Sequence, residues 1–329
     1  MKSDLHKKDL TKNVGSNYLL IPKSFARRVD WNLLGDPLRM QVVPVPDELE
    51  PIGVFDFSEE RKFMKGRALI HKYPDRAVLL ATNQCFGHCR FCFRKQLWNE
   101  PAWMISDSDI KIIVSYLLQH DEIKEVIVSG GDPLVLSDNH LEKLIKRLGR
   151  VPGLDLIRIA SRALCFQPGR INLGLIRVLR NSKKQVWFIS HFNHPAELGP
   201  ETRVAAKKLI AAGIPVLSQA VLLKGINDRV EILLALFREL AGLGIKPYQL
   251  FQCDPAPGAA HFVTELSDSL KIVEKFGKVS GIILPRFALE LPGYGKLSPG
   301  PGWKITRQTG SYRLVSPEGR SFRYPAAKK

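Results

Sequence analysis

Residues 76–95 read RAVLLATNQCFGHCRFCFRK. The apolar run at 77–82 predicts a buried strand, and the loop after it carries three thiols in the pattern Cys85-x3-Cys89-x2-Cys92. A four-iron cluster normally takes four cysteine ligands. Three ligands from one short loop leave one iron open, so the spacing predicts an iron–sulfur cluster that binds a further molecule.

Two alternatives compete with the cluster. Structural zinc needs a fourth ligand, and His88 lies inside the loop. The thiols could also be ordinary buried side chains. Since the chain has only five cysteines and three fall within eight residues, a disulfide framework does not fit, whereas a metal or cluster site in a reducing compartment does.

Beyond this loop the sequence alternates short apolar runs with amphipathic stretches. Such alternation predicts parallel strands joined by helices. The predicted strands are 77–82, 125–130, 156–161, 185–190, 215–222 and 247–252, with 283–289 as a further candidate. The predicted helices are 107–120, 137–150, 171–181, 201–213 and 229–244. We expect an α/β fold, a partial (β/α)6-type TIM barrel with N-terminal and C-terminal extensions; a doubly wound open sheet is the alternative.

Polar residues follow the predicted strands. Both architectures place chemistry at the carboxyl ends of parallel strands. The residues at these ends are Cys85, residues 129–132, Ser161, His191, Gln219 and Asp254. Their common position predicts one site at one end of the barrel.

Length and charge limit the remaining expectations. The 329 residues carry a formal net charge of +17, which favours an acidic partner, although the basic residues are scattered. No window approaches the ~20 apolar residues of a membrane span, and MKSDLHKKDLTKN at 1–13 has no apolar core of a signal peptide. We therefore expect a cytoplasmic protein, with an N-terminal extension at 1–68, a barrel at 69–285 and a C-terminal segment at 286–329 that ends in a β-hairpin.

The cysteine pattern resembles the radical S-adenosylmethionine (SAM) superfamily, whose defining loop is CxxxCxxC. The resemblance implies that the open iron binds SAM, which one-electron reduction cleaves to a 5′-deoxyadenosyl radical. Gly130, Gly131 and Asp132 match the superfamily's turn that meets the SAM amino group. Glycines permit a close approach of the backbone to a ligand.

A longer series of motifs resembles the lysine 2,3-aminomutase family, including its branch linked to translation elongation factor P. The match spans roughly residues 69–310, and its motifs occur in order. They are HKYPDR, CRFCFRK, SGGDPL, RIASR, HFNHPAEL, SQAVLLKGIND, PYQLFQCDP and PGYGK. The resemblance implies radical 1,2-amino migration between L-lysine and β-lysine, with pyridoxal 5′-phosphate (PLP) as a second cofactor.

The resemblance also assigns residues. It implies that Lys296 is the PLP lysine and that Arg94 binds the substrate α-carboxylate; Arg suits such bidentate recognition. PLP would further contact Tyr73, Arg76 and Tyr248, and the SAM side of the site would include Ser161, His191 and Gln219. Asp254 matches the first of two acids that bind the substrate ammonium, and Glu290 is the nearest acid for the second, although the segment before Lys296 is one residue shorter than in the family.

The implied partners are an amino acid, with L-lysine favoured, and an electron donor such as flavodoxin or ferredoxin. We also expect a homo-oligomer. A radical SAM aminomutase for another amino acid, a radical SAM enzyme that modifies RNA or protein, and a non-enzymatic zinc protein are the alternatives.

Overall fold

A computed structural model describes residues 19–277, 279–300 and 302–325. Its main feature is a nine-stranded sheet whose spatial order follows the chain order. The strands are β1 Leu69–Tyr73, β2 Arg76–Leu80, β3 Glu125–Ser129, β4 Leu156–Ala160, β5 Gln185–His191, β6 Val216–Leu222, β7 Lys246–Gln252, β8 Arg286–Leu291 and β9 Gly295–Leu297. Strands β2 to β8 are parallel, and β1 and β9 add antiparallel edges. The sheet curls into a half-barrel, which confirms the predicted partial TIM barrel.

Helices alternate with the parallel strands. They are α1 Lys23–Ala26, α2 Pro37–Val42, α3 Asp107–Leu118, α4 Asp138–Leu148, α5 Ala163–Phe166, α6 Leu173–Arg180, α7 Pro200–Ala211, α8 Val230–Gly242 and α9 Leu266–Glu274. Several begin where the sequence supplies an N-cap: the side chains of Ser106, Ser137 and Asn172 accept backbone N–H bonds at the starts of α3, α4 and α6. The five predicted crossover helices are thus present, with ends within two residues of their predicted positions.

Side chains alternate between the two faces of the sheet. In β4, Ile157 and Ile159 are fully buried, whereas Arg158 between them is only partly buried. Because successive side chains of a strand point to opposite faces, the first pair belongs to the core beneath the helices and Arg158 faces the barrel interior. In β4 the side chains that face the interior are therefore the partly buried ones.

The C-terminal segment differs in part from its prediction. The tail forms three antiparallel strands, β10 Lys304–Gln308, β11 Ser311–Val315 and β12 Ser321–Pro325, where one hairpin is expected. The hairpin prediction was incomplete because the Gly310 turn, with φ of +65°, also reverses the chain. Strand β8 starts at the predicted domain boundary but continues the barrel sheet.

The N-terminal extension is irregular, as expected. Residues 1–18 lie outside the described part, so the prediction about a signal segment is not addressed there. Short helices α1 and α2 and two 3-10 helices, Pro46–Leu49 and Glu60–Phe63, wrap the barrel between residues 19 and 68. In the described part of the chain, no helix has the length and apolar character required to cross a membrane.

Candidate active site

The cysteine loop leaves the barrel directly after β2. Cys85, Cys89 and Cys92 are partly buried there, and the Cys92 N–H closes a turn on the Cys89 carbonyl at 2.9 Å. Burial raises the pKa of all three thiols, and the neighbouring sulfurs add to this effect for Cys85 and Cys92; the pKa of Cys92 rises to about 11. Buried thiols ionise readily only beside a cation, and the irons of a cluster would supply one.

The spread of the thiols distinguishes a cluster from zinc. Ligands about 2.3 Å from one tetrahedral zinc ion lie within ~4 Å of one another. Among the described residues, one group of three His, Cys, Asp or Glu side chains has its ligand atoms all within 4.8 Å, and that group is His71, His120 and Glu122. His88 stacks on the Trp98 ring at 4.2 Å. The three thiols do not form such a group, which fits a four-iron cluster, whose ligands each bind a different iron, better than one shared zinc ion.

The glycine turn after β3 packs on this loop. The Gly131 N–H donates to the Thr82 carbonyl at 2.6 Å, and the Asp132 N–H donates to the Gln84 carbonyl at 2.7 Å. A Cβ on Gly130 would lie 2.3 Å from the Thr82 oxygen, and one on Gly131 would lie 2.2 Å from the Gln84 oxygen. These positions need glycine because two backbone segments touch, a reason independent of any ligand.

Asp132 and Ser161, both predicted as cofactor-binding, bond to each other. The Ser161 hydroxyl donates to Asp132 Oδ1 at 2.8 Å, and the Leu134 and Arg162 amides donate to the same carboxylate at 3.0 and 2.9 Å. The carboxylate thus joins the ends of β3 and β4. Its burial raises its pKa.

His191, the last residue of β5, pairs with Gln219, which lies in the middle of β6 and not at its predicted end. Burial, aided by the Arg162 charge, lowers the pKa of His191 to about 3. The imidazole is consequently neutral near pH 7. Its Nε2 lies 3.1 Å from Asn193 Oδ1, and its ring lies 5.6 Å from that of Phe91 in the cysteine loop. His191 therefore borders the cluster loop as a neutral polar group.

Arg94, two residues beyond Cys92, already holds a carboxylate. Its Nε and Nη2 donate to the two oxygens of Glu60 at 2.8 and 2.6 Å. This fork geometry is how a guanidinium binds a planar carboxylate. Glu60, in the N-terminal 3-10 helix, thus occupies the position expected for the substrate carboxylate.

Lys296 lies in β9, directly across from Glu290 in β8. Its backbone N–H donates to the Tyr73 hydroxyl at 2.8 Å, and the Arg76 guanidinium lies 4.0 Å from the Tyr73 ring centre. Arg76 also pairs with Asp75 at 2.7 Å. The structure thereby brings together Tyr73, Arg76 and Lys296, three residues predicted to contact PLP.

The Lys296 side chain is exposed, although its ammonium lies near protein groups. Its Nζ lies 4.4 Å from the Phe251 ring centre. Desolvation lowers the pKa of Lys296, and the nearby charges of Arg76 and Arg158 lower it further, while Glu290 and Asp254 oppose the shift. A lower pKa favours the neutral amine, which is the form that attacks a carbonyl.

Asp254 and Glu290 complete this part of the interior. Desolvation first, then Glu290, raises the pKa of Asp254 to about 7. Glu290 forms a buried ion pair with Lys72, whose ammonium also donates to the Ser58 carbonyl at 2.7 Å. Asp254 thus has no cation held against it by a salt bridge among the described residues, whereas Glu290 does. Tyr248 is the extra residue of a bulge in β7, opposite Ser218 and Gln219.

Four charged residues were missed by the sequence reasoning: Glu60, Lys72, Arg158 and Arg162. Glu60, Lys72 and Arg158 do not follow a predicted strand, and Arg162 lies one residue after Ser161. No spacing pattern in the sequence therefore marks these four residues. Arg158 faces the interior and pairs with Glu125 at 2.7 Å, while its Nε has no hydrogen-bond partner. Gln249 Oε1 and Arg162 Nε are likewise buried without partners. Buried polar atoms are rarely left unpaired, so these atoms fit an interior that receives polar cofactors.

The chain is similar to several known proteins. Residues 79–237 match the radical SAM superfamily. The chain is 35% identical over 297 residues to the L-lysine 2,3-aminomutase of Acetoanaerobium sticklandii, covering 88% of this chain and 71% of that protein. It is 34% identical over 310 residues to the L-lysine 2,3-aminomutase of Clostridium subterminale, covering 93% and 74%. A radical SAM methyltransferase structure from Sphaerobacter thermophilus aligns with a TM-score of 0.47 and 18% identity, covering 67% of this chain and 68% of that chain.

Proposed function

The chain belongs to the lysine 2,3-aminomutase family of radical SAM enzymes, and we propose that it interconverts L-lysine and β-lysine with PLP as a second cofactor. As a member of this family it is an isomerase of the radical SAM aminomutase kind, which uses a [4Fe-4S] cluster, SAM, a small-molecule substrate and a reductant. The alternative of a non-enzymatic zinc protein is wrong.

One observation supports the proposal most strongly. Glu60 is held by Arg94 of the cysteine loop, and its negative charge, after burial and Glu290, helps to raise the pKa of Asp254 in the Lys296 half of the site. A substrate whose carboxylate replaced Glu60 on Arg94 would extend from the cysteine loop toward Lys296 and Asp254. An α-amino acid with a cationic side chain satisfies all three positions.

The cofactors would be held by separate groups of residues. Cys85, Cys89 and Cys92 would bind the cluster. The turn at Gly130, Gly131 and Asp132, together with Ser161, His191 and Gln219, would border SAM, and Lys296, Tyr73, Arg76 and Tyr248 would hold PLP. When bound, the cluster and SAM supply a radical that removes a hydrogen atom from the substrate, and PLP carries the migrating nitrogen.

The protein's own part is positioning. Arg94 would orient the α-carboxylate, and Asp254 would receive the side-chain ammonium. Glu290 already pairs with Lys72. It would attract the side-chain ammonium electrostatically, without offering it an unshared ion pair. The lowered pKa of Lys296 favours its neutral amine, which would bond reversibly to the carbonyl carbon of PLP. Fixed groups of this kind hold the reacting atoms in place and limit the access of water.

The proposal is tested with anaerobically reconstituted protein, a reductant, SAM, PLP and a panel of amino acids. We expect β-lysine from L-lysine and little turnover of neutral or acidic amino acids. Turnover of another amino acid in preference to lysine would contradict the proposed substrate. Lys296→Ala should abolish the absorbance of protein-bound PLP, whereas the matched change Lys304→Ala, in exposed strand β10, should retain it.

A further inference from the structure

Arg162 has the most constrained buried charge next to the cysteine loop. It follows β4, and its side chain is only 7% exposed. Its Nη1 donates to Cys89 Sγ at 2.8 Å. Its Nη2 donates to Glu197 Oε1 at 2.9 Å and to Gln41 Oε1 at 2.6 Å. The guanidinium is thus shared between one sulfur ligand and two fixed acceptors.

Several independent contacts hold Arg162 in place. Its backbone N–H bonds to Asp132 Oδ2 at 2.9 Å. Its guanidinium carbon lies 4.4 Å from the Phe166 ring centre and 5.2 Å from that of Phe91. Gln41 is itself held by Asn193 Nδ2 at 3.0 Å. A side chain restrained on all these sides cannot swing away from Cys89 without disrupting the core.

The positive charge of Arg162 gives this contact an electrostatic effect on the Cys89 sulfur as well as a structural one. An arginine stays protonated throughout the accessible pH range, so a full positive charge always lies beside the Cys89 sulfur. Glu197, fully buried, supplies the compensating negative charge on the far side of the guanidinium. When a cluster accepts one electron from a low-potential donor, its net charge becomes one unit more negative. A nearby cation stabilises that reduced state, and hydrogen bonds to the sulfur ligands act in the same direction.

We propose that Arg162 is a positioning residue that sets the reduction potential of the cluster through Cys89, raising it, while Glu197 moderates the effect. The inference depends on the cluster alone and not on the identity of the amino acid substrate. The Arg162–Glu197 pair would thus help to determine how readily the cluster accepts an electron from the donor.

The test uses two variants whose expected shifts have opposite signs. Glu197→Gln removes the compensating negative charge, so the cluster should be easier to reduce than in the wild-type protein. The double variant Arg162→Gln/Glu197→Gln removes the cation as well without leaving Glu197 unpaired, so the cluster should be harder to reduce. We expect each variant to change the ratio of reduced to oxidised cluster, at a fixed applied potential, by about tenfold, which is ~59 mV for a one-electron couple.

The readout is an anaerobic redox titration followed by the electron paramagnetic resonance signal of the reduced cluster, without substrate. Iron per chain and melting temperature verify that each variant is folded and loaded. The control Arg203→Gln/Glu239→Gln removes a surface pair joined at 2.5 Å and should leave the midpoint unchanged.

Equal midpoints in all variants, or shifts of the same sign, would overturn the proposal. If the double variant failed to hold a cluster, the upward shift of Glu197→Gln alone would decide. Loss of aminomutase activity with unchanged midpoints would count against the inference and leave the proposed function standing.

Discussion

At the scale of single residues, the pairing of Glu60 with Arg94 indicates competition for one site. Arg94 cannot bind the substrate carboxylate and Glu60 in the same fork. If Arg94 binds the substrate carboxylate as proposed, an incoming amino acid must displace Glu60, and part of its binding free energy is lost in breaking a partly buried ion pair. The contact also protects Arg94 from being left unpaired when no substrate is present.

Glu60→Gln should lower the KM for lysine. A neutral amide competes less well for the guanidinium, and an ion pair of this burial is worth about 1 kcal/mol, which corresponds to roughly a fivefold change. Steady-state kinetics check it. Glu201→Gln is the matched control, because Glu201 pairs with Arg27 at 3.1 Å on the exposed surface and does not contact Arg94. A raised KM for Glu60→Gln would show that Glu60 assists substrate binding instead of opposing it.

Asp254 predicts a pH dependence of substrate binding. Its pKa is raised to about 7, so the folded protein without substrate keeps a proton that the unfolded chain releases near pH 4. The stability that this group contributes is full at low pH and is lost as the pH rises through 7. Binding has the opposite trend, since only the carboxylate attracts an ammonium that stays charged until about pH 10.

The KM for lysine should therefore fall about tenfold between pH 6 and pH 8, following ionisation of Asp254. Asp254→Asn should raise the KM and remove most of this dependence. A profile that Asp254→Asn left unchanged in shape would assign the titration to another group, such as Lys296.

At the scale of elements, turns determine how closely the strands' ends approach one another. The glycine turn after β3 contacts the cysteine loop through backbone atoms. In the β8–β9 turn, Gly295 has φ of +102°, and a Cβ there would lie 2.7 Å from the Tyr73 hydroxyl. Both glycines thus lie in segments proposed to bind a cofactor and leave no room for a side chain.

Gly131→Ala should prevent the cysteine loop from closing. The added methyl would overlap the Gln84 oxygen, and overpacking against backbone costs about 1–3 kcal/mol. We expect a clear loss of iron and sulfide per chain after reconstitution. Gly169→Ala, in the 3-10 helix Pro168–Arg170 with nothing within 4 Å of its Cβ, should retain both. Equal cluster content in the two variants would show that the loop tolerates displacement.

At the scale of the whole molecule, the three-stranded sheet packs into the barrel core. Tyr312, Leu314 and Tyr324 are buried in the same hydrophobic cluster as the barrel strands. The Tyr312 hydroxyl donates to Glu265 at 2.5 Å, just before α9. We therefore expect the predicted C-terminal segment to unfold together with the barrel.

Tyr312→Ala should lower the free energy of unfolding by about 3–5 kcal/mol, the cost of deleting a buried aromatic side chain. Tyr312→Phe should cost about 1 kcal/mol, because it removes only the hydrogen bond. Denaturant titrations measure both. A separate early transition in the Ala variant, with the barrel transition unchanged, would instead identify the tail as an independent domain.

The net charge of +17 is also distributed by the fold. Lys72, Arg90 and Arg162 are buried in ion pairs with Glu290, Glu48 and Glu197. These three cations therefore neutralise carboxylates inside the protein. An acidic protein partner and a homo-oligomer remain predictions.

Local pattern by itself determined the barrel and the cluster loop. Apolar runs and amphipathic stretches fix strands and helices through short-range periodicity, and three thiols within eight residues are brought together by the chain itself. The family motifs placed Lys296, Arg76 and Tyr73, which the structure brings together. Only the tertiary structure decided which charges face one another: Glu60 meets Arg94, Lys72 meets Glu290 and Arg162 meets Cys89 across separations of 34, 218 and 73 residues. Such pairs depend on how the curled sheet brings distant segments together, and no local spacing in the sequence encodes them.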